Sequence, residues 1–209
     1  IPILITCVQL SEADDRNALI ERLHTEPAVI ADQQPVGLLL PDNDGSDFGL
    51  SLYRNDLTRD LVVYFYADVT GSEEIARVVL RAADKYSIPP SLAFALCGVE
   101  SRFNTKAVGY NEISVDRGLF QLNSLSFPDL EEADFFSLET NTEHGMRHLR
   151  YCLDRGKNDV VALAMYNAGE GQVSFVGTPM STLQYISKIL RYRDEMESRF
   201  RLSILDKFS

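Results

Sequence analysis

The chain has 209 residues, 45% hydrophobic and 24% charged, the balance of an ordinary globular protein, and its length suits one domain with a small extension. A formal net charge of -11 argues against a nucleic-acid binder and against electrostatic docking on anionic lipid, while allowing a neutral or basic partner. No apolar run approaches the ~20 residues of a membrane-spanning helix.

Ile1 rather than Met opens the sequence, which suggests a processed or trimmed product from which any signal peptide has gone. Ser11 to Leu23 reads as a short helix, with Ala13, Leu19, Ile20 and Leu23 apolar. A turn-rich stretch follows at Pro41-Asp42-Asn43-Asp44-Gly45. Phe48 to Tyr53 and Leu61 to Asp68 read as strands, the second rich in β-branched and aromatic residues, with a turn at Asn55-Asp56 between them. Residues 1–69 are thus expected to form a small α+β unit of unknown role, and residues 70–209 a helical domain.

From Thr70 onward the periodicity is helical. Ser72 followed by Glu73 and Glu74 gives a capped, acidic first turn. Ile75, Val78, Val79, Ala82, Ala83 and Tyr86 then form an apolar stripe. Pro89-Pro90 opens the next helix, since proline is pre-set for the first helical position. Leu92, Ala93, Leu96 and Cys97 recur along it, and Glu100 ends the same stripe. A carboxylate there loses solvation and meets the negative end of the helix dipole, and both effects raise its pKa. A carboxyl that keeps its proton near neutral pH is what glycoside cleavage requires of a general acid. The plainer reading is a solvated Glu at a fraying helix end.

An irregular loop is expected from Phe103 to Arg117, then a helix from about Thr142 to Leu153 that buries Met146, Leu149 and Cys152. Another helix, Asp159 to Ala168, stops at Gly169, and Ser181 caps a last long one with Leu183, Ile186, Ile189 and Leu190 apolar. Cys7, Cys97 and Cys152 allow at most one disulfide, and Cys97 and Cys152 fall on apolar faces as buried thiols. His144 and His148 are spaced i, i+4, but no Glu lies between them and no third ligand is evident, so surface histidines are the preferred reading over a metal site.

Four segments carry the chemistry: Glu100-Ser101-Arg102-Phe103-Asn104, Gly118-Leu119-Phe120-Gln121-Leu122-Asn123, Ala164-Met165-Tyr166-Asn167-Ala168-Gly169-Glu170-Gly171 and Tyr185-Ile186-Ser187-Lys188-Ile189-Leu190. Each alone is weak; in this order they resemble the lytic transglycosylases with a soluble-transglycosylase, goose-type lysozyme-like domain, over about residues 73–195. The resemblance implies a mostly α, lysozyme-like helical domain with a small N-terminal α+β extension. It implies that Glu100 is the single catalytic acid/base and that Ser101 supports the end of its helix. Gln121 would line the sugar site, and Asn123 in the same segment, with Ser101 and Ser114, would also take part in binding substrate. Tyr166 and Asn167 would contact the acetamido side of the sugar, and Tyr185 would hydrogen-bond near Glu100. The implied substrate is the peptidoglycan glycan strand, cut at the MurNAc–GlcNAc β-1,4 bond to leave a 1,6-anhydroMurNAc end. The implied location is the periplasm or cell envelope of a bacterium, with no metal or organic cofactor required. A protein partner for the N-terminal unit carries no motif support.

Two departures stand against that pattern. Family members often have Ser nine residues after the catalytic Glu, where this chain has Gly109, so Ser114 would have to fold back to replace it. The Glu100–Gln121 interval is also about three residues longer than usual. Moreover, the stretch Ser114-Val115-Asp116-Arg117-Gly118-Leu119-Phe120-Gln121-Leu122-Asn123 resembles the segment of animal-type lysozymes that carries their second carboxylate. Asp116 is therefore a possible second catalytic carboxylate, and a hydrolysing muramidase is the alternative reading. Asp116 capping a turn, or pairing with Arg117 or Arg102, is the structural one. A non-catalytic peptidoglycan-binding module is a third.

Overall fold

The computed structural model describes residues 47–207. The expected Ser11 to Leu23 helix, the turn at 41–45 and Cys7 lie outside the described residues. Among the described residues the chain is a mostly α, lysozyme-like domain of nine helices with one small sheet.

The first two helices, α1 (Phe48–Arg54) and α2 (Arg59–Thr70), replace the two strands expected from sequence. The Asp47 carboxylate caps α1 by accepting from the Leu50 N–H at 2.9 Å. The turn at 55–58 exists, but it joins two helices. The run Leu61 to Tyr66 misleads because β-branched and aromatic residues favour strands in isolation, whereas here they fill the core. Val62, Val63, Phe65, Tyr66 and Val69 are all buried. A short apolar run of this kind cannot be assigned by periodicity alone, and packing decides it.

Gly71, in the left-handed conformation at φ 67°, ends α2, and the Ser72 hydroxyl caps α3 (Glu73–Lys85) by accepting from Ile75 N–H at 3.3 Å. Then comes α4 (Pro90–Ser101), with Pro at its first position. Residues 92–97 of α4 are almost fully buried, so the expected one-sided stripe is in fact a helix wrapped by protein. The Phe94 ring stacks on Tyr66 with centroids 4.1 Å apart, and Phe200 lies edge-on to Phe65 and Phe48. Helices α1 and α2 thus share one core with α4 and the C-terminal helix.

The loop expected at 103–117 contains instead two strands of an antiparallel sheet: β1 (Val108–Tyr110), β2 (Val115–Arg117) and then β3 (Leu122–Asn123), in that spatial order. Strands of two or three residues are too short to show an alternating pattern in sequence. Two further short helices are likewise not evident from sequence, α5 (Glu132–Phe136) and α8 (Glu170–Phe175). Helix α6 (Leu138–Gly156) buries Met146, Leu149 and Cys152 as expected, and α7 (Asp159–Ala168) ends at Gly169. Helix α9 (Met180–Lys207) begins one residue before Ser181, which therefore lies inside the first turn rather than capping it. Ile186 and Ile189 of α9 are buried, while Leu183 is 45% exposed. Cys97 and Cys152 are buried free thiols.

Candidate active site

Glu100 is the penultimate residue of α4, the helix with the most buried body in the fold. The helix ends because Arg102 and Phe103 take left-handed backbone angles, φ 54° and 62°. The Ser101 hydroxyl donates back to the Cys97 carbonyl at 3.2 Å, which satisfies a carbonyl of the last turn. Gly98, one turn earlier, lets α9 approach: a Cβ there would lie 2.3 Å from the Tyr192 ring.

Glu100 is half-buried. Desolvation by the surrounding protein is the largest influence on its carboxyl, followed by a hydrogen bond from Tyr185, which lowers the pKa, and the charge of Asp116, which raises it. The result is a pKa pushed up from 4.5 to about 8. The Tyr185 hydroxyl, on α9, donates to Glu100 Oε1. Burial and Asp116 therefore favour the protonated acid, and Tyr185 favours the carboxylate.

The sheet carries the second group. Asp116 pairs across the strands with Gly109 on one side and Asn123 on the other. Asn123 Nδ2 donates to Asp116 Oδ1 at 2.7 Å and to Ser114 Oγ at 2.8 Å. In the β1–β2 hairpin Ser114 lies beside Asp116, and the two accept from the same Asn123 amide. Asn111, at the hairpin tip, completes the cluster by donating to Asp116 Oδ2 at 2.9 Å and to Ser114 Oγ at 3.2 Å. The Arg117 side chain, considered as an ion partner of Asp116, instead lies over the Phe135 ring at 5.4 Å.

The Gly-Leu-Phe-Gln segment forms a tight turn between β2 and β3. Gly118 has φ 78°, and a Cβ there would lie 2.2 Å from the Phe135 carbonyl oxygen and 2.3 Å from Asn141 Nδ2. Asn141, almost fully buried, clamps this turn: it donates to the carbonyls of Arg117 at 3.0 Å and Phe135 at 2.8 Å and accepts from Phe120 N–H at 2.8 Å. Gln121 is itself left-handed at φ 46°, and its amide donates to the carbonyls of Ala107 at 3.2 Å and Gly118 at 2.9 Å. The Gln121 N–H2 therefore holds the loop, which leaves its Oε1 facing Gly109.

On α7, the Tyr166 hydroxyl donates to the Phe120 carbonyl at 3.0 Å, tying this helix to the same turn. Burial, then the Glu100 charge, raise the Tyr166 phenol well above its usual value, and Asp116 acts in the same direction. Asn167 accepts from the Thr182 hydroxyl at 2.8 Å. Thus Glu100 and Tyr185 form one bonded pair, Ser114, Asp116 and Asn123 a second cluster, and Gln121 and Tyr166 brace the turn between them. Asn167 is anchored separately to α9.

Sequence reasoning misses Asn111, Asn141 and Thr182. The Asn-x-x-Ser spacing of Asn111 and Ser114 is a turn signal that marks the hairpin tip; nothing local marks Asn141 or Thr182, whose partners are distant in the chain.

This arrangement offers one carboxyl that holds its proton near neutral pH, a hydroxyl to stabilise it once ionised, and a buried carboxylate in electrostatic reach. That is the equipment for acid/base cleavage of a glycosidic bond. The profile of the Transglycosylase SLT domain matches residues 77–184, a span that contains the end of α4, the sheet, the turn and the start of α9. The chain belongs to the transglycosylase SLT domain family and is a peptidoglycan lytic transglycosylase, a glycan-cleaving lyase.

Proposed function

We propose that Glu100 alone performs the proton transfers in cleavage of the MurNAc–GlcNAc β-1,4 bond, with release of a 1,6-anhydroMurNAc end. The observation that carries this reading is the Glu100 carboxyl at the end of a buried helix, bonded by the Tyr185 hydroxyl, where burial pushes its pKa up to about 8. In the first step protonated Glu100 donates to the glycosidic oxygen as the bond to C1 breaks. The substrate's own acetamido group stabilises the cation, with Tyr166, Asn167 and Gln121 placing that sugar. In the second step ionised Glu100, held by the Tyr185 hydroxyl, takes the proton of the C6 hydroxyl, whose oxygen bonds to C1. No water is consumed, and Glu100 ends protonated as it began. A residue that gives and takes one proton per turnover works best with its pKa near the operating pH. Ser101 keeps the helix end in place, and Ser114 and Asn123 complete the neighbouring wall.

The second reading is a hydrolysing muramidase in which Asp116 acts as the second carboxylate. It is favoured by the burial of Asp116 at 8% exposure and by its action on Glu100. In either case we place the enzyme in the periplasm or cell envelope of a bacterium, where its substrate lies, with the site carried by residues 70–209. Digestion of purified sacculi followed by mass analysis of the muropeptides separates the readings. Anhydro ends, one water lighter than hydrolysed ends, are expected from the wild type and none from Glu100→Gln. An active Glu100→Gln enzyme refutes both readings, and hydrolysed ends alone refute the first.

A further inference from the structure

A buried carboxylate must recover the solvation it gives up, usually from a cation. Asp116 is bonded by neutral amides instead. Asn111 donates to one carboxylate oxygen at 2.9 Å and Asn123 to the other at 2.7 Å. The same two amides meet at Ser114 Oγ, 3.2 and 2.8 Å away, so the three side chains lock one another. One donor per oxygen fixes the plane of the carboxylate. Neutral donors also leave its charge whole, where a guanidinium would cancel most of the field.

Gly109 sits directly across from Asp116 and brings no side chain; a Cβ there would lie 3.7 Å from Asp116 Cβ and 3.1 Å from Gln121 Oε1. Among the described residues, the titratable groups that act on Glu100, besides Asp116, come from three helices: Cys97 on α4, Tyr166 on α7, which also feels Asp116, and Tyr185 on α9.

We infer that Asn111 and Asn123 are positioning residues for the reaction, holding the uncancelled charge of Asp116 in place against Glu100. This rests on the reading of Glu100 as the acid/base. Before cleavage the fixed negative charge opposes ionisation of Glu100. As the glycosidic bond breaks, the same charge favours the positive sugar, and it does so without reorganising because the clamp has already set it. Asp116 forms no covalent bond in this role.

A double-mutant cycle tests the clamp. Wild type, Asn111→Ala, Asp116→Asn and the double variant are compared in two measurements: the alkaline limb of muropeptide release, and titration of the Glu100 carboxyl by 13C NMR. Asp116→Asn is expected to move both to lower pH by about half a unit or more, an about threefold loss of protonated acid on that limb. Asn111→Ala moves them part of the way in the same direction, and the double variant moves no further than Asp116→Asn alone. A purely structural role for Asn111 would reduce activity at every pH while the Glu100 titration stayed in place, or would give the same shift with and without Asp116. Either result overturns the inference. The NMR titration needs no turnover, so an inactive variant still decides the matter. If Asn111→Ala does not fold, Asn123→Ala carried through the same cycle takes its place, with the same expected and overturning results. An active Glu100→Gln enzyme would instead bring down the proposed function, whereas an inactive one with an unmoved titration in Asn111→Ala brings down the clamp alone.

Discussion

Replacing Glu100 by Gln should stabilise the protein while abolishing its activity, and the gain should depend on pH. The folded protein holds the Glu100 proton up to about pH 8, whereas the unfolded chain releases it near 4.5. Between those values the native state binds one more proton than the unfolded state, so wild-type stability falls as pH rises. The full contribution is present below pH 4.5 and has gone once pH passes about 8. At about 1.4 kcal/mol per pH unit, that window sets a ceiling of about 5 kcal/mol. The side chain keeps some exposure, which lowers the expectation to about 2–3 kcal/mol at pH 8. Gln is neutral at every pH, has the same shape, and can still accept from the Tyr185 hydroxyl, so it escapes this penalty. Urea denaturation of wild type and Glu100→Gln at pH 5, 6, 7 and 8 measures the effect, and subtracting the two curves cancels every other titrating group. The two proteins should be nearly equal at pH 5 and diverge steadily toward pH 8, with the variant the more stable. A difference that stays flat over this range would show that Glu100 ionises normally in the folded protein. The acid assigned to it would then be lost, along with its physical basis.

Tyr185→Phe removes the donor that stabilises ionised Glu100, so the Glu100 titration should move to higher pH. The second proton transfer should slow, with anhydro-muropeptide release falling about 10–100-fold, as loss of a hydrogen bond to a charged group predicts; unchanged release would remove Tyr185 from the site. Gly145→Ala tests the packing under the Gly-Leu-Phe-Gln turn, because the new methyl would lie 2.4 Å from Phe120 Cγ and 2.5 Å from Phe120 Cβ. Phe120 is fully buried and cannot yield, so a loss of about 2–3 kcal/mol is expected by thermal or urea unfolding. A loss under about half a kcal/mol would mean that the ring and α6 are less tightly held than the contacts imply.

Much of the site is legible in the sequence because its signals are local. Pro89-Pro90 and the apolar run behind them mark a helix that ends on Glu100, although its burial on all sides does not show along the chain. Ser72 and Gly169 mark helix ends through cap chemistry that acts within a few residues. The order of the four motifs is enough to indicate the family.

What only the tertiary structure decided depends on groups far apart in the chain. The segments at 48–54 and 59–70 carry strand-like side chains, yet they are helices because Tyr66 stacks on Phe94 and Phe65 meets Phe200. Strands of two or three residues leave no periodic trace, so the sheet that brings Ser114, Asp116 and Asn123 together reads as a loop along the chain. Asn111 shows only as a turn former in sequence; its hold on Asp116 requires the hairpin. The Glu100 pKa likewise combines its own helix with Tyr185, 85 residues away, and Asp116 on the sheet. Propensities and caps act over a few residues and can be read along the chain. Desolvation and electrostatics sum over whatever folding brings near, and that sum exists only in three dimensions.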